Sequence, residues 1–286
     1  MIRLKSSHLQ VSIHPLGAEL RELKANGMDY LWSGDPVWWG KCSPVLFPIV
    51  GTLKDNHYHY GGTTHTLPRH GFARDRIFEA RQLSDTEAVF TMEDDEASRV
   101  AYPFRFLLRL RYLLDANRLT VTYTVINTGD APLYFSLGAH PAFAVPLKSG
   151  SSYDDYHLEF ETEETAGRWE LKDGLLTDEV VPFLDHERRI PLTKGLFASD
   201  AIVFKGLKSR WVSLHSDTDD HGLRFGIGGW PHLGLWAAKD ADFVCIEPWH
   251  GHADPVSHDG QLERKPGMLC LAPAEDWENN WWVELF

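Results

Sequence analysis

The stretch that decides the fold is Phe104-Arg105-Phe106-Leu107-Leu108-Arg109-Leu110-Arg111-Tyr112-Leu113-Leu114, with its continuation Leu119-Thr120-Val121-Thr122-Tyr123-Thr124-Val125. In the first half the even positions are all apolar or aromatic, and Arg105, Arg109 and Arg111 occupy odd ones. Side chains of an extended strand alternate between two faces, so the apolar set shares one face; a helix would scatter it round its circumference. Asp115-Ala116-Asn117 interrupts the alternation as a turn. The two halves therefore predict a hairpin of long strands, the second rich in β-branched residues that suit a pleated surface.

Working outward, similar short strands are predicted at 8–14, 18–24, 57–60, 64–67, 76–83, 87–92, 156–161, 201–204 and 211–215. Gly, Asn and Asp punctuate them, as in Ala25-Asn26-Gly27-Met28-Asp29 and Tyr60-Gly61-Gly62-Thr63. No long capped apolar stripe at helical spacing occurs. The expectation is all-β: a large antiparallel β-sandwich with few short helices. No repeat of 20–50 residues and no Ser/Gly/Pro linker divides the chain, so 1–286 is read as one domain. The acidic runs Glu93-Asp94-Asp95-Glu96 and Glu161-Thr162-Glu163-Glu164 are expected to be solvated turns.

Charge and cysteines narrow the function. Across 286 residues, 28 Lys+Arg stand against 41 Asp+Glu, a net −13. That argues against nucleic acid and anionic membrane as partners, since both require clustered cations to neutralise phosphates. Cys42, Cys245 and Cys270 are widely spaced and form no CxxC pair, which fits a reducing, cytoplasmic compartment. Met1-Ile2-Arg3-Leu4-Lys5 runs straight into a strand-like pattern without the apolar region of a signal peptide.

Three segments set ionisable residues among Pro, Gly and aromatics at what look like strand ends: Leu67-Pro68-Arg69-His70-Gly71-Phe72-Ala73-Arg74, Leu137-Gly138-Ala139-His140-Pro141-Ala142-Phe143, and Phe243-Val244-Cys245-Ile246-Glu247-Pro248-Trp249-His250-Gly251. His140 and Glu247 each precede a proline, which holds their backbone extended. Fixed directions on a rigid sheet are what a preorganised site needs. Taken singly, each residue also has a structural reading: a hydrogen-bonded His at a strand end, or a buried carboxylate paired with arginine. A metal is not expected. His57-Tyr58-His59 and His250-Gly251-His252 offer imidazoles, but Thr63, Thr64, Val256 and Ser257 stand where a carboxylate ligand would be wanted. No nucleotide loop or nucleophile elbow is present, so no cofactor is expected either.

In this order the three segments resemble the aldose 1-epimerase (galactose mutarotase) superfamily, most closely its LacX-like branch. The resemblance extends to Trp38-Trp39-Gly40-Lys41 leading into Pro44-Val45-Leu46-Phe47-Pro48-Ile49-Val50-Gly51, to Tyr102-Pro103-Phe104, and to Asn127. It implies a single β-supersandwich and a site that opens a sugar ring. His140 would be the general acid that protonates the ring oxygen, Glu247 the general base at the anomeric hydroxyl, and His70 a hydrogen-bonding partner near the ring oxygen. The pattern departs at Thr52, where relatives often carry Arg; either Lys54 or Lys41 supplies the cation, or one contact to the sugar is absent.

The chemistry suits those residue types. Opening a hemiacetal removes a proton from one oxygen and adds one to another, so a base and an acid act together; the expectation is an ionised carboxylate with an imidazole kept protonated beside it. The two groups are expected on opposite sides of a pyranose. Trp39, Phe72, Trp230, Trp236 and Trp249 are candidates to cover the CH faces of the sugar, with Arg69, Arg74 and Lys54 as donors. The partner is thus a small-molecule hexose, with a hexose 6-phosphate as the alternative if Arg69, Arg74 and Lys54 cluster. A non-catalytic sugar-binding or sensing protein is the reading from another class. A glycosidase, which needs two carboxylates roughly 5–9.5 Å apart, ranks below both. Monomer and homodimer remain equally open.

Overall fold

The computed structural model describes Met1–Phe286. The deciding hairpin forms as Phe106–Asp115 paired antiparallel with Arg118–Asn127, closed by the two-residue loop Ala116-Asn117. Phe106, Leu108, Leu110, Tyr112 and Leu114 are buried on one face, and Leu119, Val121, Tyr123 and Val125 continue that face on the partner strand. Each such side chain contributes roughly 1.5–3 kcal/mol on burial, which fixes the register because a one-residue slip would expose the whole set.

The hairpin sits within a fifteen-stranded antiparallel sheet. From one edge its neighbours run Glu79–Gln82, Glu87–Glu93, the hairpin, Asp276–Leu285, Asp219–Gly226, Trp211–Ser216 and Tyr156–Lys172. The path continues through Ile202–Lys205, His232–Trp236 and Phe243–His250 to Leu137–Ala139 and Val45–Leu46. Ala142–Ala144 adds to Phe243–His250, and Leu175–Pro191 adds to Tyr156–Lys172. A four-stranded sheet of the first 29 residues, the short hairpin His57–Thr66 and the two-stranded pairing of Leu133–Phe135 with Leu269–Leu271 complete the architecture. One continuous apolar cluster of 63 buried residues, running from Leu4 to Leu285, joins the layers. The single α-helix is Glu96–Ala101, and no helix is long and apolar enough to cross a membrane.

Both acidic runs differ from the expected solvated turns. Asp95 caps the helix by accepting from the Ser98 N–H at 2.6 Å, and Asp94 binds Arg99 and the Phe106 N–H, so that run is a helix start. The second run lies inside the strand Tyr156–Lys172 at a bulge, where buried Glu164 accepts from the backbone N–H groups of Lys208 and Ser209. Buried donors need acceptors, and a carboxylate supplies two oxygens at once.

Candidate active site

The strand Phe243–His250 organises the site. Leu137–Ala139 and Ala142–Ala144 both pair with it, Gly138 opposite Trp249 and Ala142 opposite Cys245. These two pairings belong to one register: four residues along one chain match four residues back along the other. His140, midway, therefore faces Glu247, and the Ile246 N–H donates to the Pro141 carbonyl at 3.2 Å between them. The result is a contact of 3.3 Å between His140 Nε2 and Glu247 Oε2 in a buried setting. No pyranose fits between groups this close, so the expected placement on opposite sides of a ring is corrected: the two side chains stand next to each other.

Glycines make room for the surface beneath. An added Cβ at Gly234 would come within 2.4 Å of Trp249 Cζ2 and Cη2, and one at Gly138 within 2.6 Å of Trp249 Cδ1. The indole thus lies across both neighbouring strands because neither carries a side chain there. Trp39 stacks on the His140 ring with centroids 4.9 Å apart, and Trp236 meets that ring edge-on at 5.7 Å.

His70 enters from a loop in the left-handed region, with φ of 67°. Its backbone N–H donates to the Gly51 carbonyl at 2.9 Å, and the Gly51 N–H donates to His70 Nδ1 at 3.1 Å. A backbone N–H can only donate, so Nδ1 carries the lone pair and Nε2 the hydrogen in the neutral ring. Arg69 Nε–H is directed at that Nε2 from 3.3 Å, a nitrogen that cannot accept it while it carries the ring hydrogen. Arg74 donates to the Arg69 carbonyl at 2.7 Å and holds the segment in place.

These groups line a cavity of about 410 Å³, within the range of small-molecule sites. His70, His140, Glu247, Arg69, Arg74, Trp39, Trp236 and Trp249 all contribute to its wall. Phe72 and Lys54 do not. Phe72 packs on Phe47, Tyr102 and Phe106, while Lys54 donates its N–H to Asp254 and its Nζ to the His258 carbonyl. Lys41 pairs with Asp75 at 3.0 Å, and Trp230 is a core residue whose indole N–H donates to the Asn280 carbonyl.

Sequence reasoning missed Leu171, Gly174 and Leu176, which reach the cavity from the long hairpin Tyr156–Pro191, and Asp200, Ala201 and Val203 beside them. Leu176 is held there by exchanging backbone bonds with Asp254 and Val256 at 2.9 Å. His252 also lines the wall; the His250-Gly251-His252 pattern had marked it, but for metal ligation. Its Nδ1–H donates to the Ala253 carbonyl and its Nε2 accepts from Lys205 Nζ.

Burial governs the charges. It raises the Glu247 carboxyl well above the ordinary range near 4.5, against the opposing pull of Arg69. Desolvation, reinforced by Arg69 and Arg74, lowers His140 from 6.5 to about 3. His70 is likewise driven well below its usual value, by burial and then by His140 and the two arginines. Burial thus favours the protonated carboxyl and the neutral imidazole, opposite in direction to the ionised pair expected from solution values. Cys245 comes close enough that its sulfur and the ligand atoms of His140 and Glu247 lie within 4.8 Å of one another. Burial holds that thiol protonated, which makes it a poor metal ligand.

The chain matches the family model described as aldose 1-epimerase over residues 1–267. It is similar to the chromosomal and plasmid forms of protein LacX from Lactococcus lactis subsp. lactis, each 33% identical, covering 96% of this chain and 95% of theirs. Among solved structures, a galactose mutarotase related enzyme from Lactobacillus acidophilus superposes with a TM-score of 0.94 at 32% identity, over 100% of this chain and 97% of its own. A galactose mutarotase-like protein from Lactobacillus casei gives 0.94 at 30% identity over the full length of both.

Proposed function

The chain belongs to the aldose 1-epimerase family, and on that premise we propose that it interconverts the α and β anomers of a hexose by general acid/base ring opening. Glu247 takes the proton of the anomeric hydroxyl and His140 delivers one to the ring oxygen. The observation that carries this reading is the 3.3 Å contact of the two side chains inside a cavity of sugar size. The anomeric and ring oxygens are bonded to the same carbon, so an acid and a base that serve them must themselves be neighbours.

Proton accounting supports the same reading. The pair holds one proton, and ring opening removes one from the sugar while returning one, so the site ends with the number it began with. Without a sugar, burial favours that proton on Glu247. The working form has it on His140, one short transfer away, and Arg69 favours that form because its cation stabilises the carboxylate. His70 Nε2–H and Arg69 donate toward the sugar oxygens, and Trp39, Trp236 and Trp249 offer faces to its CH groups. After rotation about C1–C2 the ring recloses with the two roles reversed.

Arg69 makes no ion pair and shares the wall with Arg74, which favours a second reading of the substrate, a hexose 6-phosphate. Anomer exchange measured by NMR on glucose, galactose and their 6-phosphates separates the two. Glu247→Gln and His140→Asn should each slow exchange by about 10²–10⁴-fold with the circular dichroism unchanged. A Glu247→Gln protein with the wild-type rate rejects the mechanism, and sugar binding by wild type without exchange points to a sensing protein.

A further inference from the structure

Tyr156-His157-Leu158-Glu159-Phe160 alternates strictly: Leu158 and Phe160 enter the core, and His157 and Glu159 share the other face of the sheet. The neighbouring strand Trp211–Ser216 sets His215 directly opposite His157. None of the three lines the sugar-sized cavity. The imidazole rings of His157 and His215 approach to 4.2 Å between centroids, and Glu159 Oε2 lies 3.2 Å from His215 Nε2 and 3.8 Å from His157 Nε2. His157 is 7% exposed, and its Nε2 is buried with no hydrogen-bond partner. An imidazole nitrogen desolvated without a partner is costly, and here it is aimed at two further ligand atoms.

We propose that His157, Glu159 and His215 form a zinc site on this face of the sheet, completed by water. A tetrahedral zinc with ligands at about 2.0–2.1 Å holds them about 3.3 Å from one another. The observed 3.2 and 3.8 Å lie near that value, and the three ligand atoms all fall within 4.8 Å of one another. Two imidazoles and one carboxylate suit zinc; magnesium and calcium want shells built largely of oxygen. Burial, with His215 and Arg189 acting alongside, lowers His157 and keeps its ring neutral, ready to ligate. Arg188 and Arg189 bind Glu159 in the empty site, at 3.4 and 3.0 Å. Each has another acceptor, the Phe160 carbonyl for Arg188 and Asp217 for Arg189, so Glu159 can turn an oxygen to the metal.

Calorimetric titration of the chelator-stripped full-length protein with zinc chloride tests the site. One zinc per chain is expected, with a melting temperature that rises with zinc concentration. His215→Ala, at a half-exposed position, should weaken binding at least about tenfold, and His157→Gln should do the same, while Glu247→Gln leaves it unchanged. Absence of binding to wild type, or undiminished binding to His215→Ala, overturns the proposal. Loss of binding in Glu247→Gln also overturns it, by assigning the metal to the His140–Cys245–Glu247 cluster.

Discussion

Gly234→Ala isolates how the floor of the cavity controls the chemistry. Gly234 has no backbone conformation that alanine would resist, so the substitution acts only through its methyl group. That carbon would sit 2.4 Å from Trp249 Cζ2 and Cη2, whereas unstrained carbons keep about 3.5–4.0 Å apart. The indole must move by about 1 Å, and Gly138 leaves no slack on the other side, since its own Cβ position is 2.6 Å from Cδ1. The ring therefore lifts off the sheet into the cavity. Overpacking of this kind costs about 1–3 kcal/mol, and a melting temperature lower by about 2–4 °C per kcal/mol should result. A displacement of that size beside the reacting atoms costs about 100-fold in rate. The assay is kcat/KM for anomer exchange, with thermal unfolding on the same samples. Gly228→Ala serves as control, because its added carbon would rest 3.6 Å from Arg210, an ordinary contact. Gly234→Ala with wild-type kcat/KM would refute the view that Trp249 and its glycine seat set the position of the sugar.

The pH profile tests the shared proton. Because burial lowers His140 from 6.5 to about 3, kcat/KM should stay level through the usual histidine range and fall only toward pH 3, as the imidazole gains a second proton. At the other end Glu247 is raised, so the alkaline limb, where the pair loses its single proton, should lie well above 4.5. An acid limb centred near 6.5 would count against the buried, neutral resting pair. Lys265→Met removes the lysine partner of the Asp254 carboxylate, to which Lys265 Nζ donates at 2.7 Å with both side chains 1% exposed. Breaking a buried pair in this way should cost about 3–5 kcal/mol in urea unfolding, and a loss below about 1 kcal/mol would show that the pair does not anchor the wall behind His252.

How much of this the sequence carries depends on whether the two faces of a strand differ. The strands around Phe106–Asn127 bury one face and expose the other, so their pattern is legible residue by residue. The long hairpin Tyr156–Pro191 is legible only at 156–161. Beyond that its residues are mostly exposed or half-buried on both faces, so the period of two vanishes and an acidic run inside it reads as a turn. Leu171, Gly174, Leu176 and, beyond the hairpin, Asp200 were invisible as site residues for the same reason. Phe72 and Lys54 illustrate the opposite error. Both sit near His70 or Gly51 in the chain, but adjacent residues in a loop point in different directions, and theirs lead into an aromatic cluster and toward Asp254 and His258.

In the proposed mechanism, acid and base act from one side of the sugar, and that changes what the rest of the cavity must do. Had His140 and Glu247 flanked the ring, they alone could have gripped it. In contact with each other, they address only the edge that carries the two oxygens of the hemiacetal, and the body of the sugar must be held elsewhere. Arg69, His70 and Arg74, together with Trp39, Trp236 and the hairpin residues Leu171 and Leu176, are the groups available for that. Anomer exchange requires C1 to rotate while the remainder of the sugar stays put, so holding the body and working the edge are separable tasks. On this view, substitutions at Arg69 or Leu176 should act mainly on KM, and those at His140 and Glu247 on kcat. The register that sets residue 140 opposite residue 247 makes the proposed division possible: it fixes an imidazole and a carboxyl at touching distance on a rigid sheet, and the proposal leaves the choice of sugar to the loops and the long hairpin around them.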